Sequence, residues 1–199
     1  MSLVFNYKFS KKGCMLKALI FDLDGTLLDT KNANYLSYKE AFGNIGINFD
    51  RQLYDDAFGL CFEDMVRKVH PGLTNKQKLI VKKDKSVFYE KYKSKVRGNS
   101  VLIKIIKNSI FEYKIALVTT ARKNNAMMLL KHFDLEKYFD VMIFGEDVDI
   151  GKPNPECYKV AISRLDLNPS QCMIFEDSDA GLRAASESGA NVINVYGWV

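Results

Sequence analysis

A short apolar run that ends abruptly in two carboxylates sets the terms on which this chain can fold. The run is Ala18-Leu19-Ile20-Phe21-Asp22-Leu23-Asp24-Gly25-Thr26-Leu27. Strands buried on both faces of a parallel sheet read as short continuous apolar segments rather than alternating ones. Ligands of open α/β sheets gather beyond the carboxyl ends of such strands. Two acids placed there repel each other and lose hydration, so packing alone gives no reason to keep them. A hard divalent cation with oxygen ligands, Mg²⁺, removes the difficulty. Gly25 supplies the freedom to turn sharply after the acids. A strand end closed by an Asx turn is the structural alternative.

The rest of the chain repeats the theme. Strands are predicted at 17–22, 114–119, 141–144, 172–175 and 191–195, separated by helical stretches at 100–111, 123–132, 155–165 and 180–188. Alternation of this kind builds a doubly wound, Rossmann-like α/β core around a parallel five-stranded sheet. Between the first strand and the second lie helical spacings over about 31–42, 50–57, 61–69 and 75–95, with breaks at Gly43-Asn44-Ile45-Gly46, Gly59 and His70-Pro71-Gly72. A plain crossover needs far fewer residues than this segment provides. The excess reads as an inserted small α-helical cap at 31–96, leaving 15–30 and 97–199 as the core domain. Residues 1–14 read as an N-terminal extension or a tag remnant.

Polar residues stand where the strands end: Asp22 and Asp24, then Thr119 and Thr120, then Glu176-Asp177-Ser178-Asp179. Gly151-Lys152-Pro153 lies in the turn after the third strand. In a parallel sheet these ends share one edge, so the side chains converge.

Composition narrows the function classes. The net charge of +5 invites a nucleic-acid reading, yet much of the excess is one run, from Lys76 to Arg97, interrupted by Asp84, Glu90 and apolar residues. That pattern is the wet face of a helix, so no nucleic-acid partner is expected. The four cysteines, Cys14, Cys61, Cys157 and Cys172, form no CxxC pair; packed as small hydrophobes they suit a reducing, cytoplasmic setting. No apolar run approaches the ~20 residues of a membrane span, and residues 1–12 lack the apolar core of a signal peptide. No membrane partner is expected.

Four separated pieces, Asp22-Leu23-Asp24-Gly25-Thr26, Thr119, Gly151-Lys152-Pro153 and Glu176-Asp177-Ser178-Asp179-Ala180-Gly181, resemble in order and spacing the haloacid dehalogenase-like hydrolase superfamily. The likeness is to its helical-cap group, which includes β-phosphoglucomutase and phosphoglycolate phosphatase. The resemblance implies an Mg²⁺-dependent phosphomonoester hydrolase acting on a small phosphorylated metabolite, such as a sugar phosphate, as a monomer or a dimer. It implies Asp22 as the nucleophile that becomes an aspartyl-phosphate, and Asp24 as the acid that protonates the leaving oxygen and later the base for water. Metal would be held by Asp22, Asp24 through its backbone carbonyl, and Asp177, with Glu176 nearby. Lys152 and Thr119, with backbone N–H groups near Leu23 and Thr120, would bind the phosphoryl oxygens, and Arg122 would touch the distal part of the substrate.

The second acid, Asp24, points to phosphate esters rather than to dehalogenation. β-Phosphoglucomutases carry a histidine where this chain has Asn34, and basic residues where it has Ala57-Phe58-Gly59-Leu60-Cys61-Phe62. A mutase must hold a second phosphate, for which Phe58 and Phe62 offer no charge. Hydrolysis is therefore expected over the mutase alternative, and an apolar cap loop would face the carbon skeleton of the leaving group. A non-catalytic binding protein is the third reading, against which the intact set of polar residues argues.

Overall fold

A computed structural model describes residues 5–8 and 15–196. In chain order the strands are β1 (Phe5–Lys8), β2 (Ala18–Phe21), β3 (Leu28–Asp29), β4 (Arg97–Gly98), β5 (Lys114–Val118), β6 (Val141–Ile143), β7 (Cys172–Glu176) and β8 (Asn191–Val195). The α-helices are α1 (Lys31–Gly43), α2 (Arg51–Asp55), α3 (Phe62–Val69), α4 (Asn75–Tyr92), α5 (Ser100–Ser109), α6 (Lys123–His132), α7 (Glu156–Arg164) and α8 (Asp179–Glu187). Two compact units result, one from the described residues up to Leu28 and from Gly98 onward, the other from Asp29–Arg97.

The first unit is built on a sheet of order β1-β8-β7-β2-β5-β6. From β8 to β6 the pairing is parallel, the five-stranded doubly wound sheet expected from the sequence. Central β2 is fully apolar because helices cover both of its faces. Ala18 and Ile20 point into one core with Ala116, Val118 and Ile174, closed by Tyr158, Ala161 and Ile162 of α7 and Ala184 and Ala185 of α8. Phe21 stacks on Phe175 with ring centroids 4.5 Å apart.

Two departures concern short strands. β1 pairs antiparallel with β8 and adds a sixth strand that the sequence reading did not include. The alternation Phe5-Asn6-Tyr7-Lys8 was its signal; the remainder of the expected extension over 1–14 lies outside the described residues. β3 and β4, two residues each, form a separate two-stranded sheet and are too short to leave any periodic pattern.

The second unit is helical. Its core gathers Phe42, Phe49, Tyr54, Met65, Val66 and Val81, with Tyr35, Tyr38, Phe58 and Phe62 packed partly buried against it. Phe42 and Phe49 stack at 4.5 Å, an arrangement that adds about 1 kcal/mol to simple burial. The loop rings Phe58 and Phe62 belong to this cluster: Phe58 lies edge-on to Tyr54 at 6.0 Å and Phe62 stacks on Tyr38 at 6.3 Å.

Helix α4 is opened by a capping box between Thr74 and Gln77, which satisfies otherwise orphaned backbone donors. It buries Val81, Lys85 and Tyr89, one residue per turn along one stripe. The reading of its lysines as a solvated face is corrected at Lys85. This side chain lies on the buried stripe, its ammonium 3.8 Å from the centroid of the Tyr89 ring and 5.3 Å from that of Tyr38, where the ring faces offset part of the lost hydration. Leu79 and Val87 face solvent instead. Lys78 and Lys82 pair with Glu63 at 3.1 and 2.7 Å, and Lys91 with Glu40 at 2.7 Å. Exposed pairs of this kind add little stability.

Candidate active site

The parallel register places the ends of β2, β5 and β7 side by side: Phe21 is paired with Leu117 and with Phe175. The next residues of each strand therefore meet at one edge. Asp22, one step past β2, is buried, and its Oδ1 lies 2.7 Å from the Lys152 ammonium. The same ammonium lies 2.5 Å from Oε1 of Glu176, the last residue of β7, and 3.5 Å from the Val118 carbonyl of β5. With 3% of its side chain exposed, Lys152 is held by two short contacts to carboxylates, and its third donor reaches the Val118 carbonyl only at the long distance of 3.5 Å. It projects from the turn before α7, where the Lys152–Pro153 peptide is cis.

Glu176 is the most heavily donated group in the cluster. Besides Lys152, its Oε1 accepts from the Tyr158 hydroxyl at 3.1 Å. Its Oε2 accepts from the backbone N–H groups of Asp177 and Ser178 at 2.8 and 2.9 Å and from the Ser178 hydroxyl at 3.2 Å. The first turn of α8 packs so closely that a Cβ on Gly181 would stand 1.8 Å from Oε1. Asp177 accepts from the Thr26 hydroxyl at 2.7 Å. Gly25 has φ +98, and a Cβ there would meet Asp177 Oδ2 at 2.1 Å. A positive φ and no space together leave glycine as the residue that fits.

The other residues singled out from the sequence are placed as follows. The Thr119 hydroxyl accepts from the Ala121 N–H at 3.0 Å and lies 3.4 Å from Asp24 Oδ2. Thr120 is half-buried at the same strand end, and its carbonyl backs onto Gly145 so closely that a Cβ there would sit at 2.4 Å. Arg122 is exposed at the N-cap of α6; among the described residues it forms no salt bridge. Of the expected set, the structure joins Asp22, Lys152, Glu176 and Asp177 in one cluster, joins Asp24 to Thr119 beside it, and leaves Arg122 outside. Two members were not singled out from the sequence. Thr26 stood in the acidic motif as its hydroxyl, and Tyr158 was hidden among the apolar positions of a helix.

Carboxylate oxygens of Asp22, Glu176 and Asp177 all lie within 4.8 Å of one another. Three anionic oxygens this close suit a hard divalent cation. The proton affinities agree. Burial, with the charges of Glu176 and Asp177 adding to it, pushes Asp22 well above the usual carboxylate range against the pull of Lys152. Burial and then the Glu176 charge raise Asp177 to about 7. Burial works against Glu176 ionising, but Lys152 and the backbone donors outweigh it and hold its pKa low. Burial likewise opposes the charge on Lys152, and Asp22 and Glu176 override it, keeping the ammonium protonated.

A pH dependence arises from Asp177. Its unfolded pKa is about 3.9, so between about pH 4 and 7 the folded chain keeps a proton that the unfolded chain has lost, and metal-free stability falls as pH rises across that window. Asp22 acts in the same direction, whereas the Glu176 contribution lies below it. A cation seated among these oxygens displaces the proton. Thermal melts in EDTA should therefore show Tm declining from pH 5 to pH 7.5, and added Mg²⁺ should raise Tm more at pH 7.5 than at pH 5. A Tm in EDTA that climbs over this range would contradict the placement of these charges.

Comparison with known proteins adds four findings. Residues 19–195 match the family model described as haloacid dehalogenase-like hydrolase. The chain is 32% identical over 190 residues to the phosphorylated carbohydrates phosphatase of Thermotoga maritima, covering 92% of this chain and 86% of that one. It is 28% identical over 192 residues to the beta-phosphoglucomutase of Bacillus subtilis, covering 90% and 83%. Among solved structures, that of CbbY from Rhodobacter sphaeroides in complex with phosphate shares the fold, with a TM-score of 0.81 at 24% identity over 88% of this chain and 84% of that one.

Proposed function

The chain belongs to the haloacid dehalogenase-like hydrolase family and is a phosphatase, and from that premise we propose that it hydrolyses phosphate monoesters of small carbohydrates with Mg²⁺, through an aspartyl-phosphate on Asp22. One observation carries this reading: Asp22 meets Lys152, Glu176 and Asp177 at a single strand edge. The phosphorylated carbohydrates phosphatase among its relatives supplies the substrate class. No helix among the described residues is long and apolar enough to cross a membrane, and Cys157 and Cys172 are buried while Cys61 is exposed, none of the three in a disulfide. A cytoplasmic setting fits these thiols.

In this mechanism an Asp22 carboxylate oxygen attacks phosphorus, and the bond from phosphorus to the ester oxygen breaks. Asp24 gives its proton to that departing oxygen, so the free sugar leaves neutral. Asp24 then takes a proton from water, whose oxygen attacks phosphorus and releases orthophosphate and Asp22. The ammonium of Lys152 and the hydroxyl of Thr119 hold the phosphoryl oxygens, where charge is spread in the transition state. Asp22 and Asp177, with the Asp24 carbonyl and Glu176 close by, would hold Mg²⁺, which neutralises the meeting of carboxylate and phosphate. Glu176, already donated to on both oxygens, serves chiefly to hold Lys152 and the Asp177 turn.

The test is orthophosphate release from p-nitrophenyl phosphate and a panel of hexose and pentose phosphates. Turnover is expected with Mg²⁺, to fall at least about 100-fold in EDTA, and to return when Mg²⁺ is added in excess. Turnover undiminished in EDTA would overturn the metal-dependent mechanism. The mutase reading draws on the beta-phosphoglucomutase relative. Interconversion of a sugar 1-phosphate and 6-phosphate, primed by a sugar bisphosphate and without net phosphate release, would replace hydrolysis by that reading. Silence across the whole panel would favour a binding protein.

A further inference from the structure

We propose that Tyr158 is a positioning residue for Lys152, acting from beneath the ammonium and through Glu176. The inference rests on the phosphatase reading for its kinetic consequences, but its geometry stands apart from them. Tyr158 lies in the first turn of α7 and is completely buried. Its hydroxyl donates at 3.1 Å to Glu176 Oε1, the oxygen that receives Lys152 at 2.5 Å. Its ring centroid lies 5.0 Å from the Lys152 ammonium, inside the range of cation–π attraction. One side chain thus touches both the cation and the anion that aims it.

Packing alone does not require a phenol here. A position surrounded by Cys157, Ala161, Ile162 and the β-sheet apolar residues would be filled equally by phenylalanine, and a buried hydroxyl costs free energy unless it is bonded. The bond it makes is to Glu176. The same turn of helix also fixes the base of the lysine loop. Glu156 accepts the N–H groups of Asp149 and Ile150 at 3.2 and 3.0 Å, and its own N–H donates to Asn154 Oδ1 at 2.9 Å. The start of α7 therefore constrains Lys152 at both ends, its backbone through Glu156 and its charge through Tyr158. A lysine has a long flexible stem, and a shift of about 1 Å in a group that contacts the reacting centre can cost up to about 100-fold in rate.

Two variants separate the parts: Tyr158→Phe keeps the ring and removes the hydroxyl, and Tyr158→Leu removes both. The first readout needs no catalysis. Reductive methylation of the native protein, followed by peptide mass spectrometry, should leave Lys152 protected in the parent chain. It should label Lys152 about tenfold faster in Tyr158→Leu, with Tyr158→Phe intermediate, as a freed and newly exposed ammonium requires. The second readout is p-nitrophenyl phosphate hydrolysis with Mg²⁺: kcat should fall about tenfold in Tyr158→Phe and about 100-fold in Tyr158→Leu, with KM within about threefold. A role in packing alone would lower Tm and leave both the labelling rate and kcat per folded molecule unchanged. Lys152 labelling at the parent rate in Tyr158→Leu, or in Tyr158→Phe where the leucine variant does not fold, overturns the proposal. A parent chain without turnover would defeat the phosphatase reading instead, and the labelling result would still decide this one.

Discussion

Replacing Asp22 by asparagine is expected to reduce turnover of any phosphate ester by at least about 1,000-fold while leaving the fold intact. The amide has the shape of the carboxylate, so the strand end and its backbone bond from the Asp22 N–H to the Phe175 carbonyl at 3.0 Å are preserved. What is lost is the nucleophile of the proposed mechanism. Stability should hold or rise, because burial and the charges of Glu176 and Asp177 push Asp22 upward, and removing one of three crowded carboxylates relieves that strain. Lys152 retains Glu176 at 2.5 Å, so its ammonium is not orphaned. The check is a paired measurement of kcat and Tm on Asp22→Asn. Residual turnover within about tenfold of the parent would remove Asp22 from the centre of the chemistry.

Lys152→Met should give the largest loss of stability of any single change at the site. Its partners, Asp22 and Glu176, are both buried, and removing one member of a buried ion pair leaves an uncompensated charge worth about 3–5 kcal/mol. For a chain of this length that corresponds to roughly 10 °C in Tm. The sign with pH is fixed by what is left behind. Without the ammonium the carboxylates are driven further toward their protonated forms, so the deficit should be greatest at pH 7.5 and smaller at pH 5. A divalent cation supplies the missing positive charge, so Mg²⁺ should restore part of the Tm at pH 7.5, though not the activity. Equal Tm values for Lys152→Met and the parent chain at pH 7.5 in EDTA would show that this triad does not carry the weight assigned to it.

The legible parts of the fold were those in which local pattern and final environment agree. β2, Ile115–Val118 of β5 and Cys172–Phe175 of β7 are apolar because the sheet buries both faces, and the residues that end or follow β2 and β7 supply the clustered acids. Lys152 could be paired with Asp22 across most of the sequence only because parallel strands bring their ends together. Lys85 was misread because a charge on an amphipathic helix is assigned to water by pattern. In its buried place it meets the ring faces of Tyr38 and Tyr89, which no spacing rule encodes. Tyr158 was passed over for the converse reason: an aromatic at a core position of α7 looks like packing, and its hydroxyl acquires meaning only when β7 brings Glu176 within 3.1 Å. The strands β3 and β4, two residues each, are too short to carry a periodic pattern, and the alternation in β1 spans only four residues.

The order of the sheet has a consequence for how the molecule is made. β2 emerges early, yet its neighbours on either side are Lys114–Val118 and Cys172–Glu176, separated from it by the whole of the Asp29–Arg97 unit and, for the second, by most of the remaining core. Pairings that distant in sequence form slowly, because the loop-closure entropy is lost before any contact compensates for it. On a ribosome the apolar segment Ala18–Phe21 waits without its full set of partners until Cys172–Glu176 has been synthesised, while the helical insertion can assemble from contacts close at hand. The central strand of the enzyme is thus the first of the five parallel ones to be translated, and one of its two partners, Cys172–Glu176, follows most of the core, which makes nascent chains that stop short of Glu176 the form most exposed to aggregation.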